Sequence, residues 1–188
     1  MLIPLYVERG ELHVVLTRRA WGLRTHRGEV SFPGGRAEAG ETYLETALRE
    51  SCEEIDLDAE SVEPLGELDH LTTVTRRAYI VPIIGLLPAR PSVRLNVGEV
   101  DEVLFVALSE LLEPEVFREE RWGSEEMGRP IFFFELIGDT IWGATATILR
   151  QMLARLTGTD VGSAYDLDPA RHVGVVSWLT PDEERGVV

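Results

Sequence analysis

The segment GGRAEAGETYLETALRESCEEIDL, residues 34–57, carries the pattern that decides the fold. It predicts a helix over residues 42–55, because Thr42 and Glu45 have the Thr-x-x-Glu spacing of a capping box. Side chains at helical spacing then fall into an apolar stripe and a neighbouring acidic stripe, each about 100° wide. The acidic stripe holds Glu50, Glu53 and Glu54, and the apolar stripe holds Leu44, Ala47, Leu48, Ser51 and Ile55.

Three carboxylates on one stripe repel one another unless a cation lies between them. Oxygen ligands at this density suit Mg²⁺ or Mn²⁺. Arg49 lies beside the stripe and can pair with Glu45 or Glu53, which would hold a carboxylate in place. A solvated acidic helix face is the alternative that these residues alone leave open.

The residues before this segment form a basic island in an acidic chain. The formal net charge is −15, and all 18 basic residues are arginines. Five of them lie within residues 18–36 against one acid, Glu29, which gives that stretch a charge of +4. Guanidinium groups suit phosphate oxygens, so the island is a candidate phosphate-binding surface; chance clustering on a solvated face is the alternative. Its members are Arg18, Arg19, Arg24, Arg27 and Arg36.

Composition bounds the class of protein. The chain has 188 residues, of which 44% are hydrophobic and 27% are charged. This composition is typical of an ordinary globular domain and not of a disordered or fibrous protein. The negative charge disfavours nucleic-acid partners. No apolar run approaches about 20 residues, so no membrane partner is expected. The N-terminal residues do not resemble a signal peptide, and Cys52 has no second cysteine to pair with, so we expect a reducing cytoplasm.

The remaining pattern predicts a single α+β domain over residues 1–188. Strands are expected at 2–7 and 12–17 as a hairpin, at 30–32, 66–73, 78–87, 100–107 and 131–136, and at 173–179. A helical turn is expected at 109–112 and a second amphipathic helix at 144–156. A C-terminal extension begins at about residue 157.

The spacing within residues 35–57 resembles the Nudix box of the Nudix hydrolase superfamily. The matching positions are Gly35, Glu41, Arg49-Glu50, Glu53-Glu54 and Leu57. Two positions depart from the usual pattern. Ser51 stands where a small apolar residue is common, and Asp56 stands where glycine usually ends the helix. Asp tolerates a left-handed conformation better than most residues, so we interpret both departures as structural.

A second stretch, LTRRAWGLRTHRGEVSFPGG at residues 16–35, resembles the signature of the coenzyme A diphosphatase branch of these enzymes. The segment 141–146, Ile-Trp-Gly-Ala-Thr-Ala, resembles another pattern of that branch. Within it, Trp142 is interpreted as an ordinary core residue.

The resemblance implies a Nudix fold, a mixed β-sheet between helices in an α/β/α sandwich. It implies Mg²⁺ or Mn²⁺ held by Glu50 and Glu54, by Glu53 directly or through water, and by the Gly34 carbonyl. It also implies hydrolysis of the diphosphate of coenzyme A or a derivative, giving adenosine 3′,5′-bisphosphate and 4′-phosphopantetheine. The expected substrate-binding residues are Arg19, Arg24, Arg27 and Arg36.

Two other functions stay open: a Nudix enzyme for another nucleoside diphosphate such as ADP-ribose or NADH, and a non-catalytic nucleotide-sensing module. The intact box carboxylates disfavour the second. The expected partner is thus a small nucleotide, and a homodimer is a further expectation.

Nudix enzymes often take the general base from a loop outside the box, and Glu99 and Glu102 are the candidates here. The alternative for that acidic turn is a solvated loop before a strand. Glu53 and Arg49 complete the expected catalytic set. If neither Glu99 nor Glu102 serves, Glu53, Glu41 or Glu135 is the next candidate.

Overall fold

A computed structural model describes residues 1–73, 78–123 and 129–158, together with the strand 172–176. Its strands are β1 Leu2–Glu8, β2 Glu11–Arg19, β3 Val30–Ser31, β4 Glu63–Glu67, β5 Leu71–Thr72, β6 Tyr79–Ile80, β7 Ile83–Leu86, β8 Val100–Ala107, β9 Phe117–Trp122, β10 Arg129–Leu136, β11 Asp139–Trp142 and β12 His172–Val176. Its helices are α1 Tyr43–Ile55, α2 Leu108–Leu111 and α3 Gly143–Thr157, with a 3₁₀ turn at Ala59–Ser61.

The main sheet is mixed, as expected. Strand β2 pairs with β8 along one edge and with β1 and β3 along the other, all antiparallel. Strand β1 continues the sheet in parallel to β7, and β7 pairs antiparallel with β4. The hairpin between β1 and β2 turns at Arg9 and Gly10, both with positive φ, which matches the predicted turn.

Two apolar clusters lie on opposite faces of this sheet. Helix α1 packs Ala47 and Ile55 against Leu2, Tyr6 and Val15 on one face. Helix α3 and a second sheet, in the order β11-β10-β9-β12, pack on the other face against side chains that include Val14 and Leu16. We name the first the acidic-helix face and the second the aromatic face. This arrangement is the predicted α+β architecture with helices on both sides.

The structure corrects several predicted elements. The expected strands 66–73 and 78–87 are four short strands, β4 to β7, and Pro82, which has no N–H to donate, lies between β6 and β7. Strands β9 and β11 were not predicted. The expected strand 173–179 is observed at His172–Val176, and its remaining residues lie outside the described part, as does most of the extension from about 157. None of the helices in the described ranges is long and apolar enough to span a membrane.

Candidate active site at the acidic helix

Helix α1 begins and ends as its sequence predicts. The Glu45 N–H donates to Thr42 Oγ1 at 3.2 Å, and the Thr42 N–H donates to Glu45 Oε2 at 2.7 Å, which completes the capping box. Asp56 ends the helix in the left-handed conformation, with φ of 57°. The buried Ser51 hydroxyl donates to the Ala47 carbonyl at 2.7 Å. Both departures from the box are therefore accommodated without disturbing the acidic stripe.

Glu54 is a buried carboxylate that faces the loop after β3. Only 3% of the residue is exposed. Its Oε2 accepts a hydrogen bond from the Gly34 N–H at 3.3 Å. The pKa of Glu54 is raised to about 7, mainly because the carboxyl is buried. The Gly34 N–H and the Arg19 guanidinium act to lower this pKa, whereas the charges of Glu50 and Glu99 act to raise it. A buried carboxylate with so little compensation is typical of a position that a cation would occupy.

Glu50 packs against the same loop at Gly35. A Cβ at residue 35 would lie 2.4 Å from both Glu50 carboxylate oxygens, so any larger residue there would displace the Glu50 carboxylate. The Glu50 side chain is 15% exposed. The loop 34–35 thus places backbone directly beside two carboxylates of the acidic stripe.

Arg49 holds the stripe from the other side. Its Nε donates to Glu41 Oε1 at 2.6 Å and its Nη2 to Glu41 Oε2 at 3.2 Å. The same guanidinium lies 3.1 Å from Glu50 Oε1 and 3.1 Å from Glu53 Oε2. The Arg49 guanidinium lowers the pKa of Glu41 to about 2. The expected pair with Glu53 is confirmed, whereas Glu45 is occupied by the capping box and Glu41 takes its place.

The donors present fit a hard divalent cation. Glu50 and Glu54 supply carboxylate oxygens at the glycine loop, as Mg²⁺ and Mn²⁺ prefer. Across the described ranges, no three His, Cys, Asp or Glu side chains are already gathered as a metal site. The reason is visible at Glu53, which is 53% exposed and bound to Arg49. The buried Glu54 and the half-buried Glu50 are therefore in place, and the third ligand would have to leave Arg49 or act through water.

The basic island is divided between the two faces of the sheet. Arg19 lies on the acidic-helix face near Glu54, and its buried Nε has no hydrogen-bond acceptor among the residues that the structure describes. Arg18 points to the aromatic face, where Asp101, Glu102 and Asp139 bind it. Side chains of neighbouring strand residues point to opposite faces, which explains the division.

The other three arginines are exposed on loops. Arg36 lines a cavity of about 400 Å³ that also contains Gly34, Gly35, Tyr43 and Tyr79. Arg27 lines a separate cavity on the aromatic face. The single basic patch expected from the sequence is therefore several arginines with different surroundings.

The two candidate bases also lie on different faces. Glu99 precedes β8 on the Glu54 side, where its charge raises the pKa of Glu54, and its Oε1 accepts from Asn96 Nδ2 at 3.1 Å. Glu102 pairs with Arg18 on the aromatic face. A bulge opposite Arg18 and Arg19 also brings Asp101 to Arg18, so Asp101 and Glu102 bind the same guanidinium. Only Glu99 remains near the acidic stripe.

Two further positions lie away from this site. Glu135 lies in the second sheet, where Arg118 Nε donates to its Oε1 at 2.8 Å and Thr140 Oγ1 to its Oε2 at 2.6 Å. Trp142 is 37% exposed and lines the cavity on the aromatic face, so its interpretation as an ordinary core residue is wrong. Sequence reasoning missed this cavity because its walls come from two segments, 18–29 and 122–142, that are far apart in the chain.

Comparison with known proteins agrees with the fold. The chain matches the NUDIX domain family over residues 1–125. Nudix hydrolase 3 of Caenorhabditis elegans is 44% identical over 119 residues, which are 60% of this chain and 48% of that protein. The Nudix hydrolase NudL of Photorhabdus laumondii is 37% identical over 141 residues, 74% of each chain. The chain thus spans about half the length of the first relative and about three quarters of the second.

The likeness extends to solved structures. The Nudix hydrolase RenU of M. smegmatis superposes with a TM-score of 0.51 at 19% identity, covering 60% of this chain and 71% of that one, which is a likeness of fold. The chain belongs to the NUDIX family, and its predicted Nudix fold is confirmed.

Proposed function

We propose that this protein hydrolyses the diphosphate of coenzyme A or a derivative, giving adenosine 3′,5′-bisphosphate and 4′-phosphopantetheine. One observation carries the proposal. The buried carboxylate of Glu54 is bonded to the glycine loop at Gly34, and the Arg19 guanidinium, whose buried Nε has no acceptor among the described residues, lies near enough to Glu54 for its charge to lower the pKa of that carboxyl. The Glu54 carboxylate needs a cation, and the Arg19 guanidinium needs an anion. A metal-bound diphosphate supplies both.

Glu50 and Glu54 would hold Mg²⁺ or Mn²⁺, with Glu53 directly or through water and the Gly34 carbonyl as further ligands. When bound, the ion would polarise the diphosphate and acidify the attacking water. Arg49 has a positioning role, because its contacts with Glu41, Glu50 and Glu53 fix the carboxylates before any ligand arrives.

Arg19 would donate to a phosphate oxygen and offset the negative charge that grows in the transition state. Glu99 would take the proton of the attacking water, because it is the carboxylate outside the box that lies on the Glu54 side. Arg24, Arg27 and Arg36 would bind the outer phosphate and ribose groups from the loops.

The preference for coenzyme A over other nucleoside diphosphates rests on the sequence signature. Residues 16–35 resemble the signature of the coenzyme A branch, and a general Nudix enzyme does not need it. The two cavities, of about 400 and 410 Å³, suit any substrate with two large halves joined by a diphosphate, so they support this class of substrate without separating coenzyme A from ADP-ribose or NADH.

The test is metal-dependent turnover of a panel: coenzyme A, acetyl-coenzyme A, ADP-ribose and NADH, each with Mg²⁺, Mn²⁺ or EDTA. We expect the highest kcat/KM for coenzyme A or its acetyl form, with adenosine 3′,5′-bisphosphate as the product and no turnover in EDTA. A higher kcat/KM for ADP-ribose or NADH would overturn the substrate while keeping the reaction. Binding of these nucleotides without any metal-dependent cleavage would overturn the reaction and favour a sensing module.

A further inference from the structure

The aromatic face carries a cavity that lies apart from the acidic stripe, and the proposed reaction assigns no role to its rings. It has a volume of about 410 Å³, within the range of roughly 300–1,000 Å³ that small-molecule sites occupy. Trp21, Trp122, Phe133 and Trp142 contribute its rings. One wall comes from the loop between β2 and β3 and the other from the second sheet. Three of the four tryptophans of the chain therefore line this one cavity.

The wall from the second sheet is a packed aromatic cluster. The ring centroids of Phe133 and Trp142 lie 6.5 Å apart with nearly parallel planes, and those of Trp122 and Trp142 lie 6.1 Å apart. The Arg118 guanidinium covers the Phe133 ring at 3.8 Å from its centroid. These contacts fix the rings before any ligand binds, while Trp142 stays 37% exposed.

The opposite wall is an indole held by a glycine. Trp21 is 63% exposed, which is unusual for so large an apolar side chain. Its ring rests on Gly28, where a Cβ would lie 2.5 Å from the ring, and Gly28 has a φ of +71°. The loop thus presents an ordered indole to the same cavity as Trp142 instead of burying it.

The carboxylates and the threonine hydroxyl of the cavity are already bonded within the protein. Both carboxylate oxygens of Asp139 accept from Arg18 Nη1, at 2.9 and 3.0 Å. Glu29 pairs with His26 at 2.9 Å, and the Thr140 hydroxyl donates to Glu135. Ring faces and the Arg27 guanidinium are therefore what the cavity offers to a ligand. The charged residues in its lining disfavour an alkyl chain, because an alkyl chain would desolvate them without compensation.

We propose that this cavity stacks the nucleobase of the substrate's nucleoside half on Trp21 and Trp142. The identity of that substrate rests on the proposed function above. Aromatic side chains bind bases by stacking, and every base has a π-face. Arg27 lines the cavity and Arg24 lies in the same loop, so phosphates on the ribose would meet guanidinium groups there. Because the carboxylates and the hydroxyl beside the rings are already bonded, recognition of the base depends on its planar ring and tolerates different purines.

The experiment compares ligands with and without a base on the full chain. Isothermal titration with AMP, GMP, ribose 5-phosphate and 4′-phosphopantetheine is run on the parent, Trp21→Ala and Trp142→Ala. In each variant we expect the Kd of AMP and GMP to rise at least about tenfold, which is ~1.4 kcal/mol. The Kd of ribose 5-phosphate and 4′-phosphopantetheine should change less than about twofold.

Two glycine variants in the same loop supply a matched pair. Gly28→Ala would push the Trp21 ring away and should weaken AMP as Trp21→Ala does. Gly22→Ala should bind like the parent, because a Cβ there meets no atom within 4 Å. Trp142→Phe keeps an aromatic face and should retain most of the affinity. If Trp142→Ala does not fold, the exposed Trp21 carries the test with Trp21→Phe as its conservative control.

The outcomes separate this proposal from the proposed function. Parental AMP affinity in folded Trp21→Ala and Trp142→Ala overturns the cavity proposal, even if coenzyme A is hydrolysed. Loss of AMP affinity in these variants, together with no turnover of coenzyme A, supports the cavity and overturns the substrate. An equal loss for ribose 5-phosphate would mean that the loop binds phosphate and that the rings do not stack a base.

Discussion

The two faces of the main sheet differ sharply at the end of β2, although Arg18 and Arg19 are adjacent in the chain. On the acidic-helix face, Arg19 has a buried Nε without an acceptor among the described residues and lies near the buried carboxylate of Glu54. On the aromatic face, Arg18 binds Asp101, Glu102 and Asp139 and is satisfied. The acidic-helix face therefore has a buried carboxylate with little compensation and a guanidinium nitrogen that lacks an acceptor among the described residues. The aromatic face has ion-paired charges beside exposed aromatic rings.

This difference shows that the partners of a guanidinium decide what it can bind. A basic stretch of sequence indicates phosphate affinity, but it does not tell which arginines are already engaged. Arg18 stabilises the junction of the two sheets, whereas Arg19 is available for chemistry. The same reasoning separates Glu99 from Glu102, which share an acidic turn and lie on different faces.

The largest expected effect concerns Glu54. Glu54→Gln should lower kcat by about a thousandfold or more at saturating Mg²⁺, because a metal ion supplies several kcal/mol of transition-state stabilisation. The fold should stay intact, since the change opens no cavity. The matched control is Glu113→Gln, an exposed carboxylate away from both faces' sites, which should keep parental kcat. Activity of Glu54→Gln within about threefold of the parent would remove the metal assignment from this face.

The next effect compares the two candidate bases. Glu99→Gln should lower kcat by at least about a hundredfold with little change in KM, as the loss of a general base does. Glu102→Gln should keep near-parental kcat, because Glu102 pairs with Arg18 on the other face. Steady-state kinetics of the two variants checks this. The reverse ranking would mean that the division between the faces does not govern catalysis. Parental kcat in both would leave Glu53 or Glu41 as the base.

A smaller effect is expected at Arg24, in the loop between the faces. A charge-assisted contact with phosphate contributes about 1.5–3 kcal/mol. Arg24→Ala should therefore raise KM for coenzyme A roughly tenfold or more, and should raise it less for dephospho-coenzyme A, which has no 3′-phosphate. Equal losses for the two substrates would show that Arg24 does not bind the 3′-phosphate and that it acts on the diphosphate or braces the loop.

The smallest effect is on stability and follows from the raised pKa of Glu54. The pKa is about 7 in the folded protein and 4.5 ordinarily, so between these values the unfolded chain loses a proton that the folded chain keeps. The folded state is therefore destabilised as pH rises from 4.5 to 7, and the penalty persists above 7. In EDTA, Glu54→Gln should equal or exceed the parent in Tm at pH 8, and its advantage should shrink toward pH 4.5. A lower Tm for Glu54→Gln at pH 8 would mean that Glu54 is compensated without metal.

The acidic-helix face was largely predictable because it is local. The box spacing predicted helix α1 with its capping box, the acidic stripe and the Glu53 partner of Arg49, and the structure confirms these. Burial of Glu54 was not predicted, since it depends on the loop at Gly34 closing over the helix. Glu41 was not predicted as a partner of Arg49. Helical spacing favoured Glu45 and Glu53 equally, and it did not account for the capping box that occupies the Glu45 carboxylate.

The aromatic face was not predictable in the same way. Strand β9 has the sequence FREERW, and its four central charged residues do not show the apolar alternation from which a strand is predicted. The strand is stabilised by its neighbour β10, through ion pairs such as Arg118 with Glu135. Trp21 and Trp142, 121 positions apart in the sequence, come to line one cavity through tertiary packing, and no local period predicts that arrangement. A bulge at β8 also brings Asp101 to the guanidinium that Glu102 binds, and strand alternation cannot anticipate a bulge.

Calorimetric Mn²⁺ binding tests directly, without any substrate, whether the acidic-helix face is a divalent-cation site. Mn²⁺ is titrated calorimetrically into the full chain at pH 7.5, and into Glu54→Gln, Glu102→Gln and Glu113→Gln. We expect the parent to bind Mn²⁺, Glu54→Gln to lose at least about tenfold in affinity, and the other two variants to bind like the parent. Parental affinity in Glu54→Gln, or an equal loss in Glu102→Gln, would show that the acidic-helix face does not bind the ion through Glu54.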